Sequence, residues 1–301
     1  MASLLPAAML PVALRAARRV RNASWALWRA RIRRRAEDVT ATMSTTRCLV
    51  LAAHPDDEAL GCAATIARKA AAGGAVMVVV ATDGGRGVLS SDHAASADEL
   101  RTHRHRELLE ACGRLGVPPR QVIQLGHPDG ALAEHHATVV TQLKERFRTF
   151  LPEEVLVTWQ RDPHPDHRAL SAAVTAAIDE YPQIRHLEYP VHAWVRGPWV
   201  DETISHRADR LRRSLTERFA ASAAPRVLGV RTGRFVETKR SAIAAYASQL
   251  DDAAAGATWG ALGPEFVAPF LADHEFFFLV DRDPRPPHSH RVSGAASSTT
   301  T

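Results

Sequence analysis

The chain has 301 residues, of which 46% are hydrophobic and 24% charged, a composition typical of a globular protein with one or two α/β domains. Three scattered cysteines exclude a disulfide framework and a thiolate zinc site, and no apolar run reaches the roughly 18 residues that a membrane span needs. The net charge of +5 arises at the N terminus, because the first 36 residues contain nine arginines and no acidic residue. The rest of the chain is net acidic, and nothing in it predicts nucleic-acid binding.

Residues 1–46 are predicted to form a basic N-terminal extension. Val20, Leu27, Trp28 and Ile32 recur at helical spacing between arginines, as in an amphipathic helix that makes weak contact with an anionic membrane surface. The alternative is an extension that packs loosely and adds nothing to the fold. The apolar start precedes the arginine cluster, whereas a secretory signal has the reverse order, so we expect a cytoplasmic protein.

Residues 47–283 are expected to form one domain in which strands and helices alternate. Continuous apolar runs predict strands at 48–53, 76–82, 121–125, 154–159, 186–191 and 226–236. Helices are predicted at 58–72, 96–115, 133–150, 165 to about 180, and 237–250. This order predicts the α/β class, with a doubly wound, mostly parallel Rossmann-like sheet and helices on both faces. Residues 284–301, rich in Pro, Ser and Thr, are predicted to be a disordered tail.

Two short motifs directly follow predicted strands. Residues 53–58 read Ala-His-Pro-Asp-Asp-Glu, and residues 164–167 read His-Pro-Asp-His. In both, Pro and acidic residues occupy the expected first turn of a helix, where a fixed φ and negative charge are favourable. Because open α/β sheets bind ligands beyond the carboxyl ends of their strands, we expect the two motifs to converge.

The residue types in these motifs indicate a metal site. His54 and Asp57 are three residues apart and share a face once the segment turns helically, and a histidine of the second motif supplies a third ligand. Two imidazoles and one carboxylate with an open position are typical of catalytic zinc, and the same donors hold iron(II) in non-haem oxygenases. The surplus acid and histidine favour hydrolysis, since they provide a general base and a hydrogen-bond donor.

Together the two motifs resemble the PIG-L/LmbE-like N-acetylglucosaminyl deacetylases. The segments Ala-Leu-Gly-Cys at 59–62, Thr-Asp-Gly at 82–84, Pro-Asp-Gly at 128–130 and Ser-Gln at 248–249 are also similar to motifs of that family, so the resemblance extends over roughly residues 47–280. It implies zinc-dependent removal of an acetyl group from an N-acetylated amino sugar or sugar conjugate. Some relatives are amidases that act on thiol conjugates.

The resemblance also implies roles for individual residues. His54, Asp57 and His167 match the zinc ligands. Asp56 matches the general base, and His164 matches the acid or oxyanion stabiliser.

Two further residues are matched outside these motifs. Asp129 corresponds to an acidic residue that orients the catalytic histidine, and Arg104 to an arginine that contacts substrate. The sequence departs from some relatives just before the second motif, where residues 159–162 read Trp-Gln-Arg-Asp and no tyrosine is present to assist the oxyanion.

Three alternatives stay open at this point. The enzyme could be an amidase acting on a larger thiol or glycoside conjugate, or a non-haem iron oxygenase built on the same three ligands. The third alternative is a non-catalytic, membrane-associated binding protein that uses the basic extension. The sequence does not indicate which N-acetyl sugar is the substrate, nor the oligomeric state.

Overall fold

The computed structural model describes residues 10–85, 97–197, 225–250 and 262–281. The predicted tail at 284–301 lies outside the described residues. Among the helices described, none combines the length and the apolarity that crossing a bilayer requires.

The described residues build an eight-stranded sheet flanked by helices. The strands are β1 (Glu37–Asp38), β2 (Cys48–Ala52), β3 (Val76–Thr82), β4 (Val122–His127), β5 (Glu154–Thr158), β6 (Arg185–Tyr189), β7 (Arg226–Arg231) and β8 (His274–Leu279). The helices are α1 (Leu10–Arg35), α2 (Asp57–Ala71), α3 (Ala97–Arg114), α4 (His136–Phe150), α5 (Pro165–Ile178), α6 (His192–Arg196), α7 (Val236–Ala244), α8 (Ala247–Leu250) and α9 (Pro264–Val267). The predicted α/β class with a mostly parallel sheet is confirmed.

The strand order β1-β7-β8-β6-β5-β2-β3-β4 creates a switch point in the middle of the sheet. From β2 the chain proceeds outward through β3 to β4, and it then returns to place β5 on the other side of β2. The loops after β2 and β5 therefore diverge to opposite faces and leave a crevice between them, which is the usual ligand position in such sheets.

Helices cover both faces because the strand residues alternate between two apolar cores. In β2, Cys48 and Val50 face a core with residues of α2, α3 and α7, whereas Leu49 and Leu51 face a core with residues of α4 and α5. All five residues of β2 are fully buried. This two-sided burial explains the unbroken apolar run at residues 48–52.

The N-terminal segment packs against the domain. Ile32 is buried in the larger core, and the Trp28 ring stacks on Trp159 with 6.1 Å between centroids. Strand β1 pairs in parallel with β7, and Met43 is 1% exposed. The domain boundary predicted after residue 46 stays a prediction. Membrane contact through residues 1–46 stays a prediction.

The late part of the chain differs most from the predicted elements. The strand predicted at 226–236 ends at Arg231, and a second late strand, β8, pairs antiparallel with both β6 and β7. The helix predicted at 237–250 is divided into α7 and α8, because the chain turns at Tyr246, whose side chain is fully buried.

Candidate active site

The two motifs meet at the carboxyl ends of neighbouring strands, as predicted. The loop after β2 carries His54, and β5 beside it leads to His164. His164 caps α5, since its Nδ1 accepts a hydrogen bond from the Asp166 backbone N–H at 3.2 Å. The ring centroids of His54 and His164 are 4.5 Å apart.

The three predicted metal ligands lie around a single carboxylate oxygen. Asp57 Oδ2 is 3.2 Å from His167 Nε2 and 3.5 Å from His54 Nδ1. The same oxygen accepts hydrogen bonds from the backbone N–H groups of Ala53 and His54, which fixes its position. A tetrahedron with metal–ligand bonds of about 2.0–2.1 Å has edges of roughly 3.3 Å, so the separations of Asp57 from each of the two histidines match the spacing of zinc ligands.

The second nitrogen of His54 faces two other carboxylates. His54 Nε2 lies 3.1 Å from Asp166 Oδ2 and 3.2 Å from Asp129 Oδ1. Asp166 is held in turn by the backbone N–H of Gly130 at 2.7 Å. Carboxylates placed in this way fix the N–H on Nε2 and leave Nδ1 free for a metal. Asp129, which was predicted to orient the catalytic histidine, contacts His54 in the structure, and its role toward His164 stays a prediction.

Asp162 is a site residue that the sequence analysis did not identify. Its Oδ1 lies 3.2 Å from His167 Nδ1 and accepts a hydrogen bond from the His164 backbone N–H. Its Oδ2 accepts the backbone N–H groups of Val191 and Ala193 at 3.1 and 3.0 Å. An acid two residues before the second motif was visible in the sequence, but its importance depends on the backbone of α6, which the motif does not reveal.

Four imidazoles cluster at the site. His164 and His167 have ring centroids 5.0 Å apart, and the ring of His192 lies 5.3 Å from the first and 5.2 Å from the second. Burial, reinforced by the neighbouring imidazoles, strongly lowers the pKa of His164, and burial lowers the pKa of His192 to about 3. His164 is therefore neutral, and because Nδ1 accepts a hydrogen bond, its proton is on Nε2.

The ligand side chains attract positive charge. Burial opposes protonation of His167, but Asp57 and Asp162 outweigh burial and raise its pKa to about 10. The pKa of His54 is likewise raised by its three carboxylate neighbours against the effect of burial. Burial alone would raise the pKa of Asp57, yet the two imidazoles hold it well below its usual range. Protons thus occupy positions that a metal cation would take, and metal binding would release them.

Two donor combinations at the site have ligand atoms that are all close enough to share an ion, and neither of them includes Asp57. His54, His164 and His167 present ring nitrogens within 4.8 Å of one another, and so do the ligand atoms of His54, Asp129 and Asp166. Both combinations contain His54. In the second combination, His54 pairs with Asp166, which also accepts hydrogen bonds from backbone N–H groups. Carboxylates held in this way commonly orient a metal-binding histidine from behind.

Asp56 occupies a strained backbone conformation. Its φ is 134° and its ψ is −29°, a region that side-chain-bearing residues rarely adopt and that costs about 1–3 kcal/mol. Its side chain is 8% exposed, and burial, followed by the charge of Asp57, raises its pKa well above the usual value. Strain of this kind persists where the surrounding structure requires it, commonly at active sites.

Arg104 lies beside this strained loop. Its Nη1 donates to the Gly84 carbonyl at 2.6 Å, its Nε is buried without a hydrogen-bond partner, and its charge counteracts part of the rise in the pKa of Asp56. Gly84 has a φ of 65°, and a Cβ there would approach Arg104 Cδ to 3.0 Å and Pro55 to 3.2 Å. Glycine therefore allows the arginine to approach the loop. Contact between Arg104 and a substrate stays a prediction.

Known proteins share this combination of sequence and fold. Residues 49–178 match the family model described as PIG-L: GlcNAc-PI de-N-acetylase. The chain is 35% identical to the 1D-myo-inositol 2-acetamido-2-deoxy-alpha-D-glucopyranoside deacetylase of Mycolicibacterium vanbaalenii over 47% of this chain and 59% of that protein. In the first three curated relatives of this name, the matched part spans between 49% and 59% of the relative's length.

Two solved structures share the fold. A conserved protein from Thermus thermophilus superposes with a TM-score of 0.54 and 24% identity, covering 81% of this chain and 99% of that chain. The N,N'-diacetylchitobiose deacetylase of Pyrococcus horikoshii gives a TM-score of 0.54 and 21% identity, covering 80% and 86%. These two structures support the fold alone, and the predicted resemblance to the PIG-L/LmbE-like family is borne out by the family model over residues 49–178.

Proposed function

We propose that this protein is a zinc-dependent amide hydrolase that removes the acetyl group from an N-acetylated amino sugar or sugar conjugate, because residues 49–178 match the PIG-L family model. The observation that carries the proposal is the convergence of His54, Asp57 and His167 around one oxygen, next to the strained Asp56. The relatives that bear deacetylase names support the reaction class.

The donor set fits zinc. Both ring nitrogens of His167 are buried and lie 3.2 Å from carboxylate oxygens without meeting hydrogen-bond geometry, which is expected where a cation completes the arrangement. Two imidazoles and one carboxylate leave a fourth position open. When bound, zinc would lower the pKa of a bound water and polarise the amide carbonyl. Iron(II) fits the same donors and is the alternative metal.

Asp56 is assigned as the general base. Its raised pKa brings the carboxyl group closer to the operating pH, where a base is most effective. It accepts a proton from the attacking water and, once protonated, can return that proton to the leaving amine.

His164 is assigned as the oxyanion stabiliser. As a neutral imidazole with its proton on Nε2, it donates a hydrogen bond to the carbonyl oxygen as negative charge develops there. A donor of this kind contributes about 3 kcal/mol to the transition state. Because burial lowers the pKa of His164, transfer of a full proton to the amine is assigned to Asp56 in preference to His164.

Acetate release tests the function. The substrates are 1D-myo-inositol 2-acetamido-2-deoxy-alpha-D-glucopyranoside and N,N'-diacetylchitobiose, which the names of the relatives suggest. We expect Asp56→Asn to lower turnover by about 100- to 10,000-fold with metal retained, and His167→Ala to lose both metal and activity. Asp98→Asn, which changes an exposed carboxylate of α3 that is 87% accessible, is the matched control and keeps its activity.

Other outcomes favour other functions. Full turnover by Asp56→Asn would remove the base assignment. Release of an amine from a larger amide, with no acetate from any N-acetyl sugar, would favour an amidase. Oxygen uptake by the iron-loaded protein, with neither product, would favour an oxygenase.

A further inference from the structure

One peptide group in the active-site loop is held at both ends by side chains. The Pro55 carbonyl accepts a hydrogen bond from Gln249 Nε2 at 2.7 Å. The N–H of the same peptide group, on Asp56, donates to Glu58 Oε2 at 3.2 Å. The other oxygen of Glu58 accepts a hydrogen bond from the Tyr246 hydroxyl. Thus the orientation of the Pro55–Asp56 peptide plane is defined by contacts on both sides.

The two side chains that donate these hydrogen bonds to the Pro55 carbonyl and to Glu58 come from one short segment of the chain. Tyr246 lies at the interruption between α7 and α8, Gln249 follows three residues later in α8, and the two residues are 0% and 6% exposed. Ser248 between them binds Glu107 of α3 through its backbone N–H and its hydroxyl, each at 2.7 Å. The turn is therefore anchored to a helix of the domain and can act as a rigid support.

The orientation of this peptide plane determines the conformation of Asp56. The φ angle describes rotation about the bond that follows the peptide plane, and at Asp56 it has the strained value of 134°. An unsupported plane would rotate to relieve the strain, and the Asp56 carboxylate would move with the backbone. The two hydrogen bonds prevent that rotation.

We infer that Tyr246 and Gln249 are positioning residues, which clamp the Pro55–Asp56 peptide plane and thereby aim the Asp56 carboxylate at the reacting water. The inference rests on the proposed role of Asp56 as base. The hydrogen bonds of both side chains go to the peptide plane and to Glu58, so the clamp acts on the orientation of Asp56 and not on metal binding.

Kinetics of Tyr246→Phe, Gln249→Met and the double variant test the clamp. Each change removes one donor and keeps the size of the side chain. We expect kcat for acetate release to fall about 10- to 100-fold, with KM within about twofold of wild type and metal content unchanged. In the double variant the losses should not multiply, because a plane released at one end is already free to rotate.

Two controls separate positioning from a general effect on folding. Tyr189→Phe removes an equally buried hydroxyl, which donates to the Leu51 carbonyl at 3.0 Å, and Thr65→Val removes a buried hydroxyl of α2 that donates to Glu275 at 2.6 Å. We expect both to keep kcat within about threefold of wild type. If the clamp variants lose no more kcat than these controls, or lose activity through KM, or if their losses multiply, the inference is wrong.

Crystal structures of the variants test the clamp without relying on activity. The φ angle of Asp56 should leave the positive region in the double variant and stay near 134° in the two controls. A positive φ retained in the double variant would overturn the inference. Absence of acetate release by the wild-type protein would instead reject the proposed function, and the crystal structures would still decide whether the clamp exists.

Discussion

The substitution Asp162→Asn tests how the second motif presents its ligand. Asp162 Oδ2 accepts two backbone N–H groups, from Val191 and Ala193, whereas Oδ1 faces His167 Nδ1 at 3.2 Å. An asparagine is expected to place its oxygen where Oδ2 lies, because two backbone N–H groups point there, whereas only the His164 N–H points at the position of Oδ1. Its NH₂ group then faces His167.

This exchange reverses the tautomer of the histidine. With Asp162, whose Oδ1 faces Nδ1 at 3.2 Å, the carboxylate favours a proton on Nδ1, and Nε2 is available to bind metal beside Asp57. With asparagine, Nδ1 must accept, so the proton moves to Nε2 and blocks the ligand position. Removal of such partners commonly weakens metal affinity about 10- to 100-fold, which corresponds to about 1.4–2.8 kcal/mol.

Zinc affinity measured by competition with a chromophoric chelator provides the assay, with circular dichroism to verify folding. The matched control is Glu188→Gln, which changes another buried carboxylate that accepts the backbone N–H of Gln160 at 3.3 Å and a hydroxyl of α5. We expect the control to bind zinc like the wild type. Unchanged zinc affinity in a folded Asp162→Asn protein would refute the tautomer argument.

Three further predictions concern stability, measured by chemical denaturation. Gly61→Ala should destabilise the protein by about 1–3 kcal/mol, because the added Cβ would lie 2.2 Å from the buried Tyr189 ring. Gly113→Ala should be neutral or stabilising, because a Cβ added there has no neighbouring atom within 4 Å. Equal effects of the two substitutions would contradict this prediction. Trp28→Ala should destabilise by about 2–3 kcal/mol through lost stacking on the domain, and truncation of the neighbouring Leu27, 72% exposed, should have little effect. Burial raises the pKa of Glu188, so the folded protein holds a proton on this carboxyl group at pH values where the unfolded chain, with a pKa of about 4.3, has released it. As pH rises above that value, the free energy of unfolding of the wild type should fall relative to that of Glu188→Gln. A difference between the two proteins that stays constant from pH 4 to 8 would disprove this prediction.

Much of the central sheet could be predicted because its strands are buried on both faces and interrupted by clear turn residues. The runs at β2, β3 and β5 are buried along nearly their whole length, so their apolar composition alone identifies them. The short β1 and the antiparallel β8 could not be placed, because their pairing with β7 depends on contacts over long distances in sequence.

The candidate site, like the sheet, could be predicted only in part from the sequence. His54, Asp57 and His167 lie together as the motif spacing suggested, since strand ends of one sheet edge converge. The contacts of Asp129, Asp162 and Tyr246 could not be read from the sequence. Each depends on a loop or turn packed against the motif from another element, and such packing has no local sequence signal.

Anomalous diffraction at the zinc edge, from crystals of the zinc-loaded protein, tests the central claim most directly. We expect one anomalous density peak about 2.0–2.1 Å from His54 Nδ1, Asp57 Oδ2 and His167 Nε2, with Asp56 and His164 near the zinc but not bound to it. A peak bound instead by His54, Asp129 and Asp166, or by His164 in place of Asp57, would contradict the assignment on which the proposed hydrolysis depends.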